Sequence, residues 1–513
     1  MNIFPSLSAY PLDKEGILLP RKLPIFYNAL LLTGVNLLLR FVSTSFQVYL
    51  TGRVGAAGIG LLQLVLSVGS MAMTAGMAGI RTASMYLTAE ELGKGRPQNV
   101  TWVLSACFLY SITISFTVST ALRFLAPLLA EKWIGDPSVE DAIRLYACFV
   151  PVCCLCGVMV GYFTAANRIG TLAAVEIAEQ VLYMAVTMGV LLLWAGNDPA
   201  KACQSVILGS GISSCMTLGA LTLLRLRERP RNAPPFPIRK RLLETAVPLA
   251  LADDLRTGIS TTENLMVPKR LALFSGAIDP LAAFGTVCGM VFPVLMFPAA
   301  ILFGLAELLI PELARCHAAG SHRRTEYLTR RSLRLAMLYG CLFCGLEYLL
   351  AEPLCTALYQ TPEAGIQLRR YALLIPILYC DAITDAMTKG LGQQKACVRY
   401  NILTSAMDVA FLYLLLPKYG MGGYFFSFFI THLLNFLLSL RRLLITANIT
   451  VGVKPILFTG LATAAGILIC RIIGSPVAAG ICFPVIYFSL LVLLQVIGME
   501  DLGWLRGLVL QKK

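Results

Sequence analysis

Between Lys240 and Leu271 the chain reads KRLLETAVPLALADDLRTGISTTENLMVPKRL, long enough to cross a bilayer yet carrying ionisable groups well inside it. Asp253, Arg256, Ser260 and Glu263 recur at intervals of three and four residues, so they share one helical face, while Asp254 points elsewhere. Facing hydrocarbon, the four charged groups would cost roughly 10 kcal/mol or more, at about 2.5 to 3.5 each, against roughly 4 regained from the aliphatic residues. The charges must therefore turn inward. They do so either as an ion-pair ladder locking two helices together or as the lining of a substrate or ion path.

Other polar side chains sit in similarly apolar surroundings. Arg40 lies among Asn36, Ser43, Ser45 and Gln47; Arg81 closes a second apolar run and Glu307 a third. Guanidinium groups suit phosphate or carboxylate through paired hydrogen bonds, so Arg40, Arg81 and Arg256 together suggest an anionic head group. Asp253, Glu263 and Glu307 complete the substrate-binding set and are able to neutralise it. Glu176, Glu179, Gln180 and Tyr183 share one helix face, and Asp381, Asp385 and Lys389 share another. Glu176, Glu179, Asp381 and Asp385 are the coupling-ion or proton candidates, beside the plainer reading of structural pairing. Asp408 with Arg399, and His432 with Asn435, read as packing groups. Pro248, Gly258, Pro293 and Pro298 can bend their helices and free backbone carbonyls, as can Gly69, Gly76 and Gly79.

The elements that carry these groups follow from composition. Of 513 residues, 57% are hydrophobic and 14% charged, and the mean hydropathy is +0.74, which excludes a soluble globular chain. Apolar segments of spanning length define helix 1 (25–50), helix 2 (57–88), helix 3 (98–126), helix 4 (142–165), helix 5 (171–195), helix 6 (202–225) and helix 7 (242–268). Beyond these come helix 8 (281–311), helix 9 (330–351), helix 10 (368–391), helix 11 (396–416), helix 12 (421–447), helix 13 (454–473) and helix 14 (475–498). The expected fold is an all-α polytopic membrane protein of fourteen spans. With the N-terminus inside, 28 of the 42 Lys and Arg residues fall on the cytoplasmic side and 11 on the other, so both termini are expected in the cytoplasm at the cell membrane.

The chain divides into a cytosolic segment 1–22, an N-lobe 23–226 of helices 1 to 6, a basic Pro-rich linker 227–240, a C-lobe 241–447 of helices 7 to 12, and a remainder 448–513 with helices 13 and 14. A shift of 216 residues places Arg40 on Arg256, Gln47 on Glu263 and Arg53 on Lys269. A shift of 226 places Arg81 on Glu307 and Asn167 on Gln393. Six helices per repeat send both halves into the membrane in the same direction, with a site expected between them near the midplane.

Several functions are disfavoured. The net charge of +14 is mostly a topology signal and an attraction to anionic lipid, and nothing else supports nucleic acid as a partner. The sixteen cysteines lie mostly in apolar runs and are expected as free thiols. With three histidines in the chain, no metal or other cofactor is expected. There is no phosphate-cradling loop and no nucleophile-base arrangement, so a transporter is expected rather than an enzyme.

AVPLALADDLRTGISTTENLMVPKRL followed by FGTVCGMVFPVLMFPAAILFGLAELLIPELARC resembles helices 7 and 8 of the stage V sporulation protein B family, within the multidrug/oligosaccharidyl-lipid/polysaccharide exporter superfamily. GRVGAAGIGLLQLVLSV in helices 1 and 2, and GYFTAANRIGTLAAVEIAEQ in helices 4 and 5, are similar to it too, and TKGLGQQK echoes the latter. The resemblance covers roughly residues 25–445. It implies two six-helix lobes in a V and a flippase moving a lipid-linked saccharide of the polyprenyl-pyrophosphate type by alternating access, in envelope or spore-cortex assembly. Similarity to lipid II flippases implies a lipid-tail groove at helices 13 and 14. Partners would be membrane lipid, the lipid-linked saccharide and envelope-synthesis enzymes, with the protein itself a monomer. Two other readings stay open: an ion-coupled antiporter of cationic small molecules using Asp253, Glu263, Glu307 and Asp385, and a non-transporting membrane scaffold. Major facilitator architecture is a poorer fit, because ELGKGRPQN is a weak version of that fold's basic loop.

Overall fold

The computed structural model describes residues 25–196, 198–227, 238–276, 278–318, 320–449 and 452–497. The expected cytosolic segment 1–22, most of the linker 227–240 and the C-terminal end lie outside the described residues. Among the described residues, ten helices are long and apolar enough to cross a membrane, and twelve when each of two sharply bent pairs is taken as one span. Two features bring this into line with fourteen. The first element, Ile25–Met77, is two helices joined at Gly55, whose φ of 74° and ψ of 177° break the helix without a loop. Arg239–Leu271, 33 residues long, is helix 7, and its charges alone keep it out of the apolar set.

Helix 2 breaks again at Ala78 and Gly79, both left-handed, and resumes as Ile80–Gly93. Gly79 is needed twice over: φ is 71°, and a Cβ there would stand 2.5 Å from the carbonyl oxygen of Ala246 on helix 7. Gly69 and Gly76 instead make room for packing, since a Cβ would meet the Tyr146 ring at 2.5 Å and Val150 at 2.9 Å. Helix 8 is broken at Pro298 between Pro280–Leu295 and Ala299–His317, with a 64° bend. Helix 10 bends by 56° between Pro362–Ala372 and Ile375–Gly390, where Pro376 opens the second piece. The carbonyls freed at the helix 8 break are used: Tyr379 donates its hydroxyl to Leu295 O at 2.9 Å and Tyr339 to Pro298 O at 2.8 Å.

The repeat is written in the turns. After helix 4 (Glu140–Ala165), the bonds Ala166 N to Tyr162 O, Asn167 N to Thr164 O and Arg168 N to Phe163 O close the helix. After helix 10, Leu391 N to Met387 O, Gly392 N to Lys389 O and Gln393 N to Thr388 O do the same. Every donor and acceptor is displaced by 225 residues. The same displacement carries Gly95 and Arg96 onto Gly320 and Ser321, and left-handed Gly135 ahead of Pro137 onto left-handed Gln360 ahead of Pro362. The expected shift of 226 is therefore one residue too long over helices 2 to 5. On a helix that error rotates a side chain by about 100°, and Asn167 corresponds to Gly392, not Gln393.

The two groups of six meet along helix 2, which lies against helices 7 and 8. Thr261 and Asn264 donate to Ser67 at 3.1 and 2.9 Å, and Thr257 to Thr74 at 3.3 Å. At one end the backbones touch, since a Cβ on Gly285 would stand 2.0 Å from Ala56 O and one on Gly60 2.4 Å from Leu281 O. At the other, Arg241 pairs with Glu90 and Glu91, and Glu91 also accepts from Asn99 at 2.9 Å. Helices 13 (Val453–Arg471) and 14 (Pro476–Leu493) pack on helix 9 (His322–Tyr359) through a core of Cys341, Leu349, Phe483 and Tyr487. Gly345 admits the Phe483 ring there, where a Cβ would stand 2.0 Å away.

Candidate functional site

The inward-turned stripe of helix 7 meets helix 10, helix 11 (Gln394–Tyr419) and helix 12 (Met421–Ala447) around a cavity of about 470 Å³. Asp253, Arg256 and Glu263 line it from helix 7; Asp381, Asp385 and Lys389 from helix 10; Asn401, Ser405 and Asp408 from helix 11; Thr431, His432 and Asn435 from helix 12. Spacing of three and four residues on each helix produces this convergence. Ser260, which shares the helix 7 stripe, is exposed and lies outside the lining, and Asp254 turns off the stripe to within electrostatic reach of Tyr110 on helix 3 (Val100–Leu128).

The polar walls are partly paired. Lys389 bridges Asp385 at 2.7 Å, and Asn435 donates to both oxygens of Asp381 at 3.1 and 3.0 Å. Asp408 accepts from Ser427 at 2.5 Å and Thr431 at 3.4 Å, so its partners are on helix 12 and not Arg399, which is exposed. His432 holds Phe428 O through Nδ1 at 3.0 Å and lies against the Phe428 ring. Of the groups expected to be packing groups, Asp408, His432 and Asn435 thus stand on the cavity wall, and Arg399 does not. The buried lining atoms without a partner are all acceptors: Glu263 Oε1, Asp385 Oδ1 and Asn435 Oδ1. Arg256 makes no ion pair among the described residues, which counts against the ladder reading of helix 7. Five carboxylates face Arg256 and Lys389, one of which is already engaged.

Of the three arginines expected around an anionic head group, Arg256 alone lines this cavity. Arg40 on helix 1 is half-buried and interacts with Tyr379 of helix 10. Arg81, exposed on helix 2, interacts with Glu176 of helix 5 (Ile169–Val190). Glu307 is exposed on helix 8 outside the lining. The register of 225 accounts for part of this, since Arg81 then corresponds to Ala306 and not to Glu307. Glu176 and Glu179 also lie outside the cavity, with Glu179 accepting from Ser214 at 3.2 Å and Gln180 donating to Ser43 at 3.1 Å. Under the same register, though, Glu176, Glu179, Gln180 and Tyr183 fall on Asn401, Thr404, Ser405 and Asp408. The polar face of helix 5 is the first-half counterpart of the helix 11 wall. Of the bend candidates, Pro298 sits at the helix 8 break and Pro293 opens its short Phe292–Leu295 piece, whereas Pro248 and Gly258 lie within an unbroken helix 7.

No protein-family model matches the chain. In sequence it is 21% identical over 410 residues to stage V sporulation protein B of Bacillus subtilis (strain 168), spanning 77% of this chain and 78% of that one. In structure it matches the lipid II flippase MurJ in an inward closed conformation, with a TM-score of 0.67 at 11% identity over 90% of this chain and 98% of that one. An inward-facing multidrug resistance MATE family transporter of the MOP superfamily matches with a TM-score of 0.60 at 12% identity, over 82% of this chain and all of the other. The chain is similar in sequence to stage V sporulation protein B and shares the fold of these MOP-superfamily structures. Its apolar helices make it a multi-pass membrane protein built as two helical lobes, and the cavity lies in the second lobe.

Sequence reasoning missed one group on this fold. Glu347, in the apolar run LYGCLFCGLEYLLAEPL of helix 9, is buried, and neither carboxylate oxygen has a hydrogen-bond partner. Its signal was a lone acid amid apolar residues with no polar neighbour at helical spacing.

Proposed function

We infer that the protein moves a lipid-linked saccharide, of the polyprenyl-pyrophosphate type, across the cytoplasmic membrane by alternating access of its two lobes, in envelope or spore-cortex assembly. The observation that carries this reading is the composition of the cavity wall. Sugars present many hydroxyl donors, and the unpaired oxygens of Glu263, Asp385 and Asn435 are acceptors in search of them. Arg256, free of ion pairs on the same wall, offers one paired-donor contact to a phosphate. Similarity in sequence to a sporulation protein and in structure to a lipid II flippase supports this choice of substrate class. The lobes would part along helix 2, where Ser67 and Thr74 bond helix 7 and Gly60 and Gly285 bring the backbones together.

One observation favours a second reading. Five carboxylates against two basic groups give the cavity an acidic balance, which suits a cation antiporter, and MATE neighbours share the fold. Reconstituted proteoliposomes separate the two. The flippase reading expects the protein to make a fluorescent polyprenyl-pyrophosphate disaccharide accessible in the opposite leaflet, and to leave organic cations where they are. Uptake of organic cations with no movement of the lipid-linked sugar would overturn it.

A further inference from the structure

A second recess, of about 460 Å³, lies between helices 1, 8 and 9, away from the cavity wall described above. Phe41 and Val48 line it from helix 1, Phe297 from the helix 8 break, and Phe343, Leu346 and Glu347 from helix 9. Its size is that of a small-molecule site, and its walls are aliphatic and aromatic. Glu347 is 5% exposed, midway between Arg334 and Tyr359 on a membrane-spanning helix, and both its oxygens are unpartnered. An ionised carboxyl is not held in such a place without a counter-charge.

The remaining polar atoms of the recess narrow the chemistry. Thr44 spends its hydroxyl proton on Arg40 O at 2.9 Å and Ser45 on Phe41 O at 3.0 Å, leaving lone pairs only. Nearby, Tyr339 and Tyr379 have committed their protons to the carbonyls of the helix 8 break. Arg40 lies within electrostatic reach of Tyr379 and makes no hydrogen bond to Glu347, whose two oxygens have no partner. An apolar recess that presents acceptors and a carboxyl, with no free donor, is complementary to an apolar molecule carrying a positively charged donor. Phosphate and carboxylate ligands are excluded by the same inventory.

We propose that the recess between helices 1, 8 and 9 is a binding site for a lipophilic amine, with Glu347 as its counter-ion and Phe41, Phe297 and Phe343 enclosing its apolar body. This is separate from the saccharide reading of the second-lobe cavity and does not depend on it.

The test is equilibrium binding of 1-aminoadamantane and of 1-adamantanol, equal in shape and different in charge, to the purified full chain. The amine is expected to bind at least tenfold more tightly than the alcohol. Glu347→Gln should bring the amine down to the level of the alcohol, Ser45→Phe should weaken both by filling the recess, and Glu263→Gln should leave the preference for the amine intact. Equal binding of the two compounds to the unaltered protein would overturn the assignment. So would an amine preference that survives Glu347→Gln or Ser45→Phe, or one lost through Glu263→Gln, which would move the amine into the other cavity. Should Glu347→Gln fail to fold, Ser45→Phe and Glu263→Gln still decide the matter.

Discussion

Asp381 shows how stability depends on single residues of the second-lobe cavity. Its two oxygens hold the amide of Asn435, a side chain 7% exposed. Removing the carboxylate strands that amide away from water, so Asp381→Ala should lower stability by about 1 to 3 kcal/mol, read as a fall in melting temperature in detergent. Asp381→Asn, which keeps an acceptor, should retain most of it. The stripe of Asp253, Arg256 and Glu263 was legible in the sequence because charge inside an apolar helix has few tolerable explanations and helical spacing fixes its direction. Arg40, Arg81 and Glu307 were legible as unusual residues but not as neighbours, since periodicity says which way a side chain points and not which helix stands opposite.

At the scale of elements, the all-helical, many-span architecture could be read from apolar runs, yet the breaks could not all be read from Pro and Gly. Pro298 interrupts helix 8 because its flanking carbonyls find Tyr339 and Tyr379, whereas Pro248 loses one internal bond within a helix that continues. The register of the repeat was off by one because apolar helices match one another at many shifts, while turns carry specific donors, acceptors and left-handed residues. With the register at 225, helix 5 and helix 11 present corresponding polar faces. In a protein freed of its native cysteines, thiols placed at 176, 180, 401 and 405 should react with a membrane-impermeant reagent, and a thiol at Val181, which is exposed on another face, should not. Equal labelling of 180 and 181 would contradict the shared face. Helix 14 allows a test of packing: Gly345→Val would drive a side chain into the Phe483 ring and should cost about 1 to 3 kcal/mol while loosening helices 13 and 14 from helix 9.

For the whole molecule, the question is what holds the two helical lobes together. Arg241 reaches Glu90 and Glu91 across the boundary, and the Glu91 side chain is 1% exposed. Arg241→Ala would leave that carboxylate with Asn99 alone, which should cost about 3 kcal/mol and weaken the closed arrangement at that end, visible as faster thiol labelling between helices 2 and 7. The acid-rich cavity, the free guanidinium on its wall and the boundary along helix 2 together make the account of transport. Its most direct test is the rate at which reconstituted protein flips a polyprenyl-pyrophosphate disaccharide when Arg256 is changed. Arg256→Ala should slow flipping by tenfold or more with folding intact, and Arg256→Lys, which keeps charge but not the paired donors, should fall between. Flipping at the unaltered rate by Arg256→Ala would contradict the account.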